Sequence, residues 1–189
     1  MSALEELAKY TAYRLEEGKV ILCPTDTLWG LSADATNEEA VNKIFELKNR
    51  PKEKSFVILV ADEDMLSNYV HEVPSEVADF LNNTTKPTTI IYPKAKNLPQ
   101  SVCAKNGSIA IRIVNQMFCK KVIEQLGKPI VSTSANYSGE PTPQTFDEIS
   151  EQLKNSVDFV VPKASESSAK SKASSILKVT ESGFETIRA

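Results

Sequence analysis

Pro129-Ile130-Val131-Ser132-Thr133-Ser134-Ala135-Asn136 carries an apolar strand directly into a run of hydroxyls and an amide. Ile130 and Val131 read as buried strand, and Ser132 and Ser134, two apart, share one face of its end. The stretch follows a helical pattern from Gln116 to Leu126 that stops at Gly127. Helix, stop and buried strand in close succession mark an α/β chain, and a polar rim at a strand end is a place where such sheets take ligands.

The same alternation runs outward in both directions. On the N-terminal side, Leu4, Leu7, Ala8, Ala12 and Leu15 recur at helical spacing before Gly18, and Val20 to Cys23 is a short buried strand ending at Pro24. Asn37 caps a helix carrying Ala40, Val41, Ile44, Phe45 and Leu47, which ends near Arg50 because Pro51 disfavours helix in the residue before it. Strands are expected over Phe56 to Val60, Thr88 to Tyr92 and Ser108 to Ile113, with short helices over Asp62 to Tyr69 and Ser75 to Asn82. On the C-terminal side, Thr145 to Leu153 reads as a helix, Val157 to Val161 as a strand, and Ile176 to Val179 with Phe184 to Ile187 as a strand pair. Lys163 to Ser174 is nearly all Ser, Lys and Ala and is expected to be a mobile loop. Residues 1–189 thus read as one α/β domain on a twisted mixed sheet flanked by helices.

Composition narrows the function. The net charge of −3 gives no global pull toward nucleic acid or an anionic membrane. No apolar run approaches the roughly 18 residues of a membrane span, and the N-terminus lacks a signal-peptide core, so a cytoplasmic protein is expected. The single histidine, His71, lies between two helical patterns and reads as a surface residue. Cys23, Cys103 and Cys119 lack ligand spacing, so neither a zinc site nor a histidine-based triad is expected.

The polar residues carry the remaining signal. Lys48 and Arg50 supply two cations at a helix end, either as a phosphate clamp or as simple complements to the helix dipole. Thr25, Asp26 and Thr27 follow the first strand, and they either shape a turn or line a site. Arg112 projects from an isoleucine-rich strand on the face shared with Ser108 and Ala110; it meets a core carboxylate or faces an anion in a cleft, and its small neighbours favour the cleft. Thr142 is held in the rigid turn Gly139-Glu140-Pro141-Thr142-Pro143. None of the six glycines forms a G-x-x-x-x-G-K-[ST] or G-x-G-x-x-G motif, so a bound nucleotide would be held by side chains.

In combination, Pro24-Thr25-Asp26-Thr27-x-Trp29-Gly30-Leu31, Lys48-x-Arg50-Pro51-x-x-Lys54, Ile111-Arg112-Ile113 and Ser132-Thr133-Ser134-Ala135-Asn136-x-Ser138-Gly139 resemble the YrdC family from about Gly18 to Arg188. The resemblance implies a twisted α/β sheet with a concave basic cavity. It also implies synthesis of threonylcarbamoyl-AMP and pyrophosphate from L-threonine, bicarbonate and ATP, a nucleotidyl transfer with Mg²⁺ brought by the ATP and no protein ligand set for the metal. A separate threonylcarbamoyl transferase complex would then carry the group to tRNA, with at most a weak tRNA contact here. By position, Lys48, Arg50, Ser134 and Asn136 match the family's catalytic tetrad, and Arg50, Lys54, Ser108, Ser132, Ser134, Thr142 and Arg188 its ATP-binding positions. Thr27, Arg112 and Ser174 match positions that hold threonine.

Three departures stand out. No proline follows Arg112-Ile113, where Val114 stands; Lys86-Pro87 replaces a Gly-Pro pair; and Ser174-Ser175 replaces Ser-Thr. The alternative is a non-catalytic member of the same fold that binds RNA or nucleotide. The complete tetrad and the acidic net charge weigh against it.

Overall fold

The computed structural model describes residues 2–51, 54–166 and 173–189. Its helices are α1 (Ala3–Glu16), α2 (Glu38–Lys48), α3 (Glu63–Ser67), α4 (Ser75–Asn83), α5 (Met117–Leu126) and α6 (Glu151–Ser156). The strands are β1 (Ile21–Pro24), β2 (Trp29–Asp34), β3 (Val57–Val60), β4 (Thr88–Tyr92), β5 (Ile109–Ile113), β6 (Ile130–Ser134), β7 (Phe159–Val160), β8 (Ser175–Thr180) and β9 (Gly183–Arg188). They form one mixed sheet in the order β7-β1-β2-β6-β3-β5-β4-β8-β9. β1–β7, β3–β5 and β4–β8 pair in parallel, and the other neighbours are antiparallel.

Register sorts the side chains between two faces. Ser132 lies opposite Ser32 and Val57, and Val57 opposite Ala110, so these residues share a face with Arg112 two positions beyond Ala110. Leu31, Ile58, Ile111 and Val131 take the other face and are buried. α1 packs on α5, which lies against β1 and β3, while α2 lies against β2.

Two differences from the sequence expectation have identifiable causes. β2 was hidden because all six of its residues are buried, including the polar Ser32 and Asp34, so it shows no alternation. Asp34 accepts from Thr36 N at 2.8 Å and Lys128 Nζ at 3.2 Å, which makes its burial tolerable. The helix expected over Thr145 to Leu153 is a 3-10 turn at Phe146–Glu148 followed by α6. Ser150 breaks it: Ile149 is extended, and the Ser150 hydroxyl accepts from Leu153 N at 3.2 Å to cap a new helix. The expected mobile loop over 163–174 includes residues 167–172, which lie outside the described residues. Of its flanks, Lys163–Ser165 is a 3-10 turn and Ser174 is buried.

His71 is exposed, and all three cysteines are buried and unpaired. Among the described residues no helix is long and apolar enough to cross a membrane.

Candidate active site

A cavity of about 410 Å³ opens on the sheet face that carries Ser132, Val57 and Ala110. The charged side chains among its described lining residues are all arginines: Arg50, Arg112 and Arg188. Thr27, Ser132, Ser134, Thr142 and Ser174 add hydroxyl-bearing residues to the wall. Eight of the residues singled out in the sequence therefore meet in one space, contributed by segments from both halves of the chain.

Arg50 reaches the cavity through the way α2 ends. Asn49 adopts φ 50 and ψ 41, a left-handed conformation that asparagine tolerates, and Arg50 N donates back to Phe45 O at 2.9 Å. The guanidinium then sits over the Phe56 ring, 5.0 Å from its centroid, and Nη2 donates to Ser55 O at 2.7 Å. Burial lowers its pKa, though an arginine stays charged at any physiological pH.

Lys48 points elsewhere. It is 2% exposed, and its Nζ donates to Ser134 O, Asn136 O and, at 3.4 Å, Asn136 Oδ1. An ammonium has three donors, and these three oxygens engage all of them. Lys48 therefore fastens the turn after β6 from behind rather than lining the cavity. Asn136 is held there too, with Nδ2 donating to Glu140 O at 2.7 Å, and Ser138 N donates to Lys48 O at 2.9 Å. Burial pulls the Lys48 pKa down to about 8, with Arg50 adding to the fall and Glu140 opposing it.

Arg112 both meets a carboxylate and lines the cavity. Its Nε donates to Asp26 Oδ1 at 3.1 Å, Nη2 to Thr27 Oγ1 at 3.2 Å, and Nη1 to Thr89 Oγ1 at 3.4 Å. Thr89 Oγ1 is in turn 2.9 Å from Ser174 Oγ, and Arg188 donates to Ser174 O from Nε at 3.0 Å and Nη2 at 2.6 Å. Asp26 reads from the sequence as shaping a turn or lining a site, and Thr89 is not among the candidate residues. Asp26 carried a faint signal as a carboxylate between two threonines at a strand end; Thr89 carried none.

Two expected ATP-side residues are not in the described cavity wall. Lys54 is exposed, and only its carbonyl enters the network, accepting from Arg50 Nε at 3.3 Å. Ser108 donates to Asn106 Oδ1 at 2.7 Å just before β5, where it shapes the entry turn. Trp29 is buried yet borders the cavity; its Nε1 donates to Glu166 Oε1 at 2.8 Å and its ring lies 4.8 Å from that of Phe146. Gln116 Nε2 donates to Ser165 O at 2.9 Å, so the turn before residue 167 is tied down at two points.

No group of three or more His, Cys, Asp or Glu among the described residues could hold a metal ion. The donors facing the cavity are guanidinium and hydroxyl groups, which suit anions rather than a cation.

A mixed-sheet α/β protein with a cavity lined by arginine and hydroxyl groups is the class these features define. The Sua5/YciO/YrdC family, described as telomere recombination, matches residues 14–189, and this chain belongs to it. It is 33% identical over 150 residues to the threonylcarbamoyl-AMP synthase of Pseudoalteromonas translucida, covering 78% of this chain and 80% of the relative. It is 34% identical over 188 residues to the putative threonylcarbamoyl-AMP synthase of Methanocaldococcus jannaschii, covering 97% and 86%. Among solved structures, Pyrococcus abyssi Sua5 complexed with L-threonine superposes with a TM-score of 0.86 at 27% identity over 97% of this chain. This chain spans about half of that one, 54%. Escherichia coli YciO shares the fold, with a TM-score of 0.82 at 24% identity over 97% of this chain and 89% of that one.

Proposed function

We propose that this chain is an L-threonylcarbamoyladenylate synthase, a nucleotidyltransferase that makes threonylcarbamoyl-AMP and pyrophosphate from L-threonine, bicarbonate and MgATP. The observation that carries the reading is the junction of Arg50, Ser132, Ser134 and Thr142 with Arg112 and Ser174 in one cavity of about 410 Å³. A volume of that order suits a small-molecule ligand. The names of the relatives and the threonine complex of the Pyrococcus abyssi structure support the same assignment.

The chemistry asks for little acid–base help. Threonine ammonium and bicarbonate give the N-carboxylate, water and a proton. A carboxylate oxygen of that carbamate then attacks the α-phosphorus, the bond from α-phosphorus to the bridging oxygen breaks, and pyrophosphate leaves with the electron pair. Such a transfer depends on alignment and on neutralising charge. Arg50 serves the phosphates, with the hydroxyls of Ser132, Ser134 and Thr142 fixing their oxygens. Lys48 holds the Ser134–Asn136 turn in place and adds its charge from behind it. Arg112, Thr27 and Ser174 serve the threonine carboxylate or carbamate. Mg²⁺ arrives as part of the nucleotide and needs no protein carboxylate. Consumption of the product by a threonylcarbamoyl transferase complex acting on tRNA completes the proposal.

Mass spectrometry of the nucleotides formed from MgATP, bicarbonate and L-threonine tests it. An adenylate carrying a threonylcarbamoyl group is expected. Unchanged ATP, with nucleotide or RNA bound, would reassign the chain to a binding protein of this fold.

A further inference from the structure

Thr89 belongs to β4 and is 1% exposed, yet its hydroxyl touches two residues of the cavity wall. Arg112 Nη1 lies 3.4 Å from Thr89 Oγ1, and Ser174 Oγ lies 2.9 Å from it on another side. A guanidinium can only donate, so the Thr89 oxygen accepts from Arg112. The Thr89 hydroxyl hydrogen then has one acceptor among its described neighbours, Ser174 Oγ. Were Ser174 the donor instead, that buried hydrogen would be left without a partner, at a cost of roughly 1–3 kcal/mol. The direction of the relay follows: Arg112 to Thr89, Thr89 to Ser174.

With its oxygen accepting from Thr89, Ser174 keeps its own hydroxyl hydrogen for a third group. Ser174 lines the cavity, and the two bonds from Arg188 to its carbonyl fix its backbone there. Arg112 is fixed on its other edges by Asp26 and Thr27.

We propose that Thr89 is a positioning residue that orients both donors at this end of the cavity, so that Arg112 and Ser174 together take an acceptor group of the substrate, a carboxylate or carbamate oxygen. This deepens the assignment of Arg112 and Ser174 to threonine and rests on that reading.

The test compares wild type with Thr89→Val, which keeps the β-branched shape and loses the hydroxyl, and with Thr89→Ser, which keeps the hydroxyl. Threonine KM is expected to rise about tenfold in Thr89→Val, the scale of one lost hydrogen bond, and to return to within about twofold of wild type in Thr89→Ser. ATP KM is expected to stay within about twofold in both. In parallel, the Arg112 Nη1–H exchange rate, read by NMR without turnover, is expected to rise in Thr89→Val alone. Unchanged threonine KM and unchanged Arg112 exchange in Thr89→Val would overturn the proposal, as would equal rises in both KM values. Absence of threonine-dependent pyrophosphate release from wild type would instead sink the functional reading, and the Arg112 exchange rate would still decide the role of Thr89.

Discussion

Asp26 Oδ1 and Arg112 Nε meet at 3.1 Å across 86 positions of sequence, and each of the two side chains is only 6% exposed. The pair joins the turn between β1 and β2 to the centre of the sheet. Asp26 Oδ2 also accepts from Asn115 N at 3.3 Å, so the carboxylate ties the end of β5 to the same turn. A buried charge left alone is expensive, whereas removing both charges is not. Asp26→Ala should therefore lower unfolding free energy by about 3–5 kcal/mol in urea titration. The double replacement Asp26→Leu with Arg112→Met should recover most of that loss without recovering threonine-dependent turnover. A single-variant loss below about 1 kcal/mol would mean that the pair behaves as a solvated one.

Lys48 gives a pH signature. Burial first, then Arg50, hold its pKa at about 8, against 10.5 for a free lysine, with Glu140 opposing. Between these values the unfolded chain keeps a proton that the folded chain has released. The Lys48 contribution to stability is thus smallest below pH 8, rises with pH, and is complete above 10.5. Comparison with Lys48→Met should show wild type gaining on the variant across this window, by an amount on the order of 3 kcal/mol. A pH-independent difference would place the ammonium in solvent.

Arg50 is expected to act through a fixed planar guanidinium. Arg50→Ala should lower kcat/KM by about 10²–10³, the scale of a lost charged donor at a developing charge. Arg50→Lys should not rescue it, because a lysine can neither stack on Phe56 as a plane nor donate to Ser55 O in the same geometry. Steady-state kinetics that restored near-normal turnover in Arg50→Lys would reduce the role to charge alone.

Gly30 lies opposite Ser134 in the β2–β6 pair. A Cβ there would come within 2.7 Å of Ser132 Oγ and 3.1 Å of Thr133 O. Gly30→Ala should lower stability by about 1–3 kcal/mol and displace Ser132 from the cavity wall. Adding Ser132→Ala should return part of the stability, measured by thermal unfolding. The absence of any recovery would locate the clash in the Thr133 backbone instead.

Sequence signals were strongest where local chemistry decided the structure. Asn37 caps α2 with Ala40 N at 3.1 Å, and Pro51 follows its end, so that helix and where it stops were readable in advance. The alternation over β5 correctly placed Arg112 on the face with Ala110. β2 was not readable because its burial on both faces erased the period that marks a strand. The orientation of Lys48 was hidden for another reason: its acceptors are carbonyl oxygens of the chain 86 and 88 residues away, and backbone acceptors leave no residue-type signal. Thr89 is unmarked within a threonine-rich stretch, and only the cross-sheet pairing of β4 with β8 brings it to Ser174.

Pyrophosphate release by the purified chain with MgATP and bicarbonate, with and without L-threonine, tests the central claim most directly. Release that needs all three components, and that is lost in Arg112→Ala at threonine concentrations saturating for wild type, is the predicted result. Release independent of threonine, or none at all despite bound nucleotide, would contradict the assignment of this cavity to threonylcarbamoyl-AMP synthesis.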